Sequence, residues 1–256
     1  MSAGGAAPET PSLGSPRLHF RLTDSTNARA RALAIAGAPH GTLVTAAEQS
    51  AGRGRQGRSW SAPAGSALLA SLVLRDPPGL LPLAAAVAVC DIAGPHALIK
   101  WPNDVVVAAG PEEGRPPAAA RAPLAKLAGI LVEGRLQEGW AVLGIGLNVA
   151  VRLEELPAEL APGGVRPAAT MGLRAAEIEP TLERLLGALQ RRLHEPAAAT
   201  LHAWREHDAL LGRSISWAGG SGVARGLDGA GRLIVEEGAG ARNTLAAGEV
   251  HLRQVD

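Results

Sequence analysis

Short apolar runs, bounded by glycine, proline and small polar residues, recur along this chain and arrive mostly in neighbouring pairs. Residues 18–22, 42–47 and 66–74 read as strands. Between the first two, Ala30, Leu33, Ala34 and Gly37 fall at i, i+3, i+4 and i+7, the spacing of a short amphipathic helix. Thr23-Asp24-Ser25-Thr26-Asn27 supplies capping side chains before it, and Gly37 and Pro39 end it. Residues 81–93 predict a second helix, with Pro82 early and Gly94-Pro95 as its stop. Residues 97–100 and 105–108 read as strands around Trp101-Pro102-Asn103-Asp104, and residues 126–133 and 140–148 as another pair joined by a polar turn.

Beyond Asn148 a proline-rich connection runs to about residue 180. Leu182, Leu185, Leu186, Leu189 and Leu193 then mark a helix face, and residues 197–211 predict a further helix with Trp204 inward. From residue 213 the texture changes to short strands between glycine-rich turns: 214–218, 223–227, 232–236, 242–246 and 249–252. That density of short strands predicts a small β-barrel. The expected plan is a disordered tail over 1–16, an α+β domain over 17–211 with helices packed on a mixed sheet, and a barrel over 212–256. Residues 109–123, without periodicity, read as a flexible insertion.

Composition narrows the function. Of 256 residues 46% are hydrophobic but only 2% aromatic, so Leu, Val, Ile and Ala must fill the core. A net charge of +1 argues against general attraction to nucleic acid or membranes. A single cysteine, Cys90, excludes an internal disulfide and a cysteine-based zinc cluster, and reads as a buried small residue. The apolar run around it is too short to span a bilayer, and the first residues lack the order of a secretory signal, so a cytoplasmic protein is expected.

The richest stretch for chemistry is Glu48-Gln49-Ser50-Ala51-Gly52-Arg53-Gly54-Arg55-Gln56-Gly57-Arg58-Ser59-Trp60. Arginine forks fit carboxylate and phosphate oxygens, and glycines let the backbone approach a ligand. The glycine spacing imitates a dinucleotide fingerprint and nearly a P-loop, but both need a helix after the glycines, and Trp60-Ser61-Ala62-Pro63 is poor helix material. An RGG-like tether is the other alternative, but this is one copy between two strands. Lys100 and Asp104 flank a turn that suits phosphate and magnesium, or simply an ordinary surface ion pair. Lys126 opens an apolar strand, either snorkelling to water or aimed into a pocket. Gly129, and later Gly144 and Gly146 before Asn148, leave room for a ligand or a close backbone. The seven histidines form no zinc pattern, and no nucleophile set is present. Cations at strand ends without a nucleophile fit adenylate formation, in which a carboxylate attacks the α-phosphate of ATP.

Asp24-Ser25-Thr26-Asn27, Gly52–Arg58, Lys100–Asp104, Lys126–Glu133 and Gly144–Asn148, in that order, resemble the motifs of biotin–protein ligases. The resemblance implies a class II aminoacyl-tRNA synthetase-like catalytic fold followed by an SH3-like barrel. It implies a two-step reaction. Biotin and MgATP give biotinyl-5′-adenylate and pyrophosphate, and a lysine of a biotin carboxyl carrier protein, typically of acetyl-CoA carboxylase, then takes the biotin. By the same resemblance Ser25, Thr26, Asn27, Gln49, Arg53, Gly54, Arg55, Lys126 and Gly129 bind biotin, with Lys126 and Arg55 catalytic. Arg58, Lys100, Asn103, Asp104, Lys126, Asn148 and Arg253 lie on the ATP side, with Asp104 toward Mg2+. Some members carry an N-terminal DNA-binding domain. Here the first motif begins at Asp24, which leaves no room for one, so a monofunctional enzyme is expected, as monomer or homodimer. The segment around Ala168–Met171 lacks the adenine-stacking tryptophan of some members. The alternatives are a lipoate or octanoate ligase on the same fold, and a nucleic-acid-binding module using the arginine loop and the barrel.

Overall fold

The computed structural model describes residues 12–108, 123–161, 167–246, 248 and 250–252. Residues 1–11 of the expected tail, the expected insertion apart from Pro123, and Arg253 lie outside the described residues. The first half forms β1 (Arg17–Phe20), α1 (Thr26–Ile35), β2 (Leu43–Ala46), β3 (Ala67–Arg75), α2 (Leu81–Ala93), β4 (Leu98–Lys100), β5 (Asp104–Ala108), β6 (Leu124–Arg135) and β7 (Trp140–Asn148). These strands make one mixed sheet in the order β1-β2-β3-β7-β6-β5-β4. β1 and β2 are parallel, with α1 as their crossover, and the other neighbours are antiparallel.

The sheet divides its side chains by parity, as the pleat requires. Leu68, Ala70, Leu72 and Leu74 of β3 and Leu143, Ile145 and Leu147 of β7 face the main core, with α2, α3 (Ile178–Arg192) and α4 (Ala197–Glu206). α2 has buried residues on all sides, and its alanines let α3 and α4 come close. The opposite face carries Val73, Val142 and Trp140 against Ala30 and Ala34 of α1. That second face is only partly covered, and the candidate chemistry lies on its remainder.

Two expectations change. The chain from Leu13 to Pro16 is not a loose tail: Leu13 N–H donates to Gln190 Oε1 (3.1 Å), Gly14 N–H donates to Gly41 O (2.8 Å), and Leu13 packs on the main core. The helix expected over 197–211 ends at Glu206, although Trp204 is fully buried as expected. Residues 207–209 instead pair with β4, Ile99 N–H to His207 O at 2.6 Å and Ala209 N–H to Ile99 O at 3.0 Å, extending the sheet edge.

Five short strands follow, β8 (Ser214–Trp217), β9 (Gly220–Leu227), β10 (Leu233–Glu236), β11 (Arg242–Leu245) and β12 (His251–Leu252), in the antiparallel order β11-β10-β9-β8-β12. Pairing between β11 and β12, which would close a barrel, is not among the described residues. Ile215, Ala224, Leu233 and Val235 join the same apolar cluster as α2 and α3, so the core is continuous across the expected boundary at 211–212.

Candidate active site

The parallel β1–β2 pairing continues past both strands. Thr23 N–H donates to Glu48 O (3.1 Å), Ser50 N–H to Thr23 O (2.9 Å) and Ala51 N–H to Asp24 O (2.9 Å). This lays the start of α1 beside Gln49, and Thr26 N–H donates to Gln49 Oε1 (2.7 Å). Ser25 caps α1, its hydroxyl accepting from Ala28 N–H (3.4 Å). Asp24 accepts from Ser25 N–H (2.8 Å) and the Thr23 hydroxyl (2.9 Å) and pairs with Arg29 (3.0 Å). Those bonds, the Ser25 amide foremost, hold the Asp24 carboxyl below the usual carboxylate range.

The arginine stretch is a hairpin rather than a helix-opening loop. Arg53 and Ser59 pair antiparallel, Trp60 N–H donates to Gly52 O (2.9 Å), and Gly54 N–H donates to Arg58 O (2.7 Å). Its tip turns through two left-handed residues, Gln56 (φ 55°) and Gly57 (φ 74°). A Cβ on Gly52 would lie 2.3 Å from Trp60 O, so the closing pair of this hairpin requires glycine. Among the described residues, Arg53 and Arg55 tie the hairpin to the sheet: Arg53 lies 3.8 Å from Glu133 Oε1, and Arg55 donates to Asn103 Oδ1 (3.5 Å). Between hairpin and sheet is a cleft of about 450 Å³ lined by Arg53, Gly54, Arg55, Gln56, Gly57, Arg58, Leu131 and Glu133.

Glycines shape the sheet face beside it. A Cβ on Gly144 would sit 2.0 Å from Asn27 Oδ1, and one on Gly146 would sit 2.5 Å from Trp60 Cε2, so these two positions admit α1 and the indole onto the sheet. Lys126 and Gly129 are three apart and would face opposite ways in a regular strand. A bulge brings them together: Val105 faces Ala128 while Val106 faces Lys126, leaving Leu127 over, and Leu127 and Ala128 both enter the main core. The Lys126 ammonium consequently lies 3.2 Å from where a Gly129 Cβ would be and 5.4 Å from the Trp60 ring centroid.

Asp104 does not close the turn as a surface pair; its Oδ1 lies 2.7 Å from Lys126 Nζ across the β5–β6 pair. Lys100 is the opposite residue of Asp104 in the β4–β5 hairpin and half-exposed. Asn103 is a brace, donating to Ile130 O (3.0 Å) while it receives Arg55. Asn148, expected to face adenine, is buried, and its amide nitrogen is spent on Ala169 O (2.9 Å) and Lys126 O (3.4 Å), where it anchors the 168–170 segment beside β6. Among the described residues no group of three His, Cys, Asp or Glu could hold a metal. Asp104 is a single carboxylate already facing an ammonium, which suits a magnesium ion that arrives on nucleotide phosphates rather than a resident one.

Two residues of this face were not singled out from the sequence. Ser71, fully buried on β3, is 2.8 Å from Thr26 Oγ1 and 2.6 Å from Asn27 Oδ1, and Glu133 accepts from Asn27 Nδ2 (2.9 Å). The signal for Ser71 was a lone hydroxyl inside the apolar run 67–74; Glu133 stood at the end of a noted motif.

Residues 19–149 match the Biotin/lipoate A/B protein ligase family, and residues 220–253 match the Biotin protein ligase C terminal domain. The chain belongs to that ligase family. It is similar to the biotin--[acetyl-CoA-carboxylase] ligase of Mycobacterium tuberculosis (strain ATCC 25618 / H37Rv), 34% identical over 90% of this chain and 87% of the relative. A ligase of the same name from Paracoccus denitrificans is 35% identical over 89% of this chain and 97% of its own length. The fold is similar to that of the biotin protein ligase from Aquifex aeolicus solved in complex with biotin and ATP, with a TM-score of 0.70 at 24% identity, covering 94% of this chain and 100% of that one.

Proposed function

We propose that the chain is a biotin–protein ligase, activating biotin with MgATP to biotinyl-5′-adenylate and passing it to a carrier lysine. The observation that carries this reading is the cleft onto which Arg53, Arg55 and Arg58 of the hairpin and Glu133 of the sheet open, on the sheet face that also carries Lys126 and Gly129. The gathered cations spread the negative charge that develops as a carboxylate attacks the α-phosphate, with no enzyme nucleophile. Lys126 is proposed as the residue that meets both the biotin carboxylate and the phosphate, for which it must leave Asp104. Ser25, Thr26 and Gln49, beside the start of α1, are proposed for the biotin ring, and Arg53, Gly54 and Arg55 for covering it. Arg58, Lys100 and Asp104 are proposed for the nucleotide side, with magnesium entering on ATP as part of the substrate. Arg253, outside the described residues, joins them on the resemblance alone.

The acceptor is proposed to be a biotin carrier domain, given the names of the two relatives. No described helix is long and apolar enough to cross a membrane, and a cytoplasmic setting is proposed with the carrier. The division into 17–211 and 212–256 is proposed from the change in strand texture. Pyrophosphate release from MgATP, measured with biotin, lipoate and octanoate in parallel, tests the reading. Release with biotin alone is the expected result; release with lipoate or octanoate instead would move the chain to the other branch of its family.

A further inference from the structure

A chain of short hydrogen bonds crosses the sheet face from Glu133 to Thr26, and its direction is fixed by the chemistry of its first member. A carboxylate can only accept, so the Asn27 amide must turn its NH2 to Glu133 Oε2 (2.9 Å) and its carbonyl oxygen away. That oxygen can only accept, so the Ser71 hydroxyl donates to it (2.6 Å). Ser71 has a single proton, so toward Thr26 Oγ1 (2.8 Å) it must accept, and the Thr26 hydroxyl donates. Thr26 then has no proton left for Gln49 Oε1, 3.1 Å away, which already accepts from Thr26 N–H (2.7 Å). Two acceptor oxygens are left side by side, an arrangement that a donor from outside satisfies.

We propose that Glu133, acting through Asn27 and Ser71, is a positioning residue that sets the hydrogen-bond polarity of Thr26 and Gln49 at the start of α1, making them an acceptor pair for a ligand N–H. The inference rests on the ligase reading and deepens it: a cyclic urea offers such N–H groups, whereas a dithiolane or an alkyl chain offers none. Selectivity for biotin over lipoate is thereby set in part by a carboxylate that acts through Asn27 while its other oxygen faces Arg53 of the hairpin. The chain is buried at Ser71, Thr26 and Asn27, where an unpaired donor or acceptor is costly. Gly144 belongs to the device, because any side chain there would displace Asn27.

Calorimetric titration of biotin, ATP and lipoate into the wild type, Glu133→Met, Ser71→Ala and the double variant tests this. Methionine removes the acceptor at similar size, and alanine cuts the chain in its middle, so the two single variants fail independently if either misfolds. The Kd for biotin is expected to rise about tenfold or more in each, the scale of one unpaired buried polar group. In Ser71→Ala, which leaves the Arg53–Glu133 contact in place, ATP affinity should stay within about twofold while the preference for biotin over lipoate falls. The double variant should be no worse than the poorer single one, as for residues of one network. Wild-type biotin affinity in both single variants, or losses that simply add, would overturn the polarity relay. A wild-type chain that binds no biotin would instead overturn the ligase reading beneath it.

Discussion

Lys126 shows how much depends on one extra residue in a strand. Without the bulge at Leu127, the lysine and Gly129 would lie on opposite faces, and the cation would be delivered into the main core. With it, Lys126 shares a face with Gly129, paired with Asp104 and beside the Trp60 ring. Lys126→Ala is expected to cut biotin-dependent pyrophosphate release by about 100-fold or more, the scale for losing one preorganised charge at a reacting centre. Its thermal midpoint should stay near that of the wild type, because the ammonium is more than a third exposed and its ion pair adds little to folding. Near-normal pyrophosphate release from the folded variant would remove the lysine from the chemistry. The resemblance implied a shared pocket role for Lys126 and Gly129, but nothing in the sequence said how they could share a face. A bulge is a register irregularity, set by the pairing of β5 with β6 and not by the apolar pattern of β6 alone. Asn148 was legible as a polar residue at a strand end, but its bond to Ala169 O was not, because Ala169 is brought alongside only by the tertiary fold.

Among the elements, the arginine hairpin was legible as a loop but not as a tied one. Its closure depends on Gly52 and Trp60, and its docking on Glu133 of β6 and Asn103 of the β4–β5 turn. Arg55→Ala removes one of the two described side-chain ties to the sheet. Its expected effect is faster escape of the adenylate with the melting curve unchanged, and an unaltered off-rate in a stopped-flow chase would argue that Arg55 does not retain it. The end of α4 carries a different prediction. The sequence reads helix through residue 211, but Asp208 bends the chain onto β4, its Oδ1 accepting from Leu210 N–H (2.8 Å) while Oδ2 is buried without a partner. Burial raises this carboxyl to about 6 from an ordinary 3.8. The folded chain thus takes up this proton first as the pH falls. Asp208 accordingly destabilises the fold above about pH 6, and that penalty is relieved as pH drops from about 6 toward 4. Asp208→Asn should stabilise the protein at pH 7.5 by an amount on the order of 2–3 kcal/mol. The gain over wild type should shrink below pH 6, and a pH-independent difference in denaturant unfolding would contradict the assignment.

For the whole molecule, the change of texture at residue 213 marks a new architecture without marking a new core. Trp101, inside the Lys100–Asp104 turn, donates its indole N–H to Gly231 O (3.1 Å) in the β9–β10 turn. Gly231 itself is pressed on α2: a Cβ there would lie 2.8 Å from Leu83 Cδ1 and 3.0 Å from Leu80 Cδ2. Behind that contact, Ile215, Leu233 and Val235 are fully buried in the cluster that also holds α2, α3 and Trp204. A sequence pattern reports the period of each element but not whether two regions share a buried surface, so a linker and an interface look alike at residues 211–213. Shared burial of this kind couples the two parts energetically, because unfolding the C-terminal sheet would expose the main core to water. Calorimetric unfolding of the full chain is therefore expected to show one cooperative transition, with a chain ending at residue 211 losing that transition or melting far lower. Two resolved transitions, or a truncated chain as stable as the whole, would show that the C-terminal sheet is an independent module.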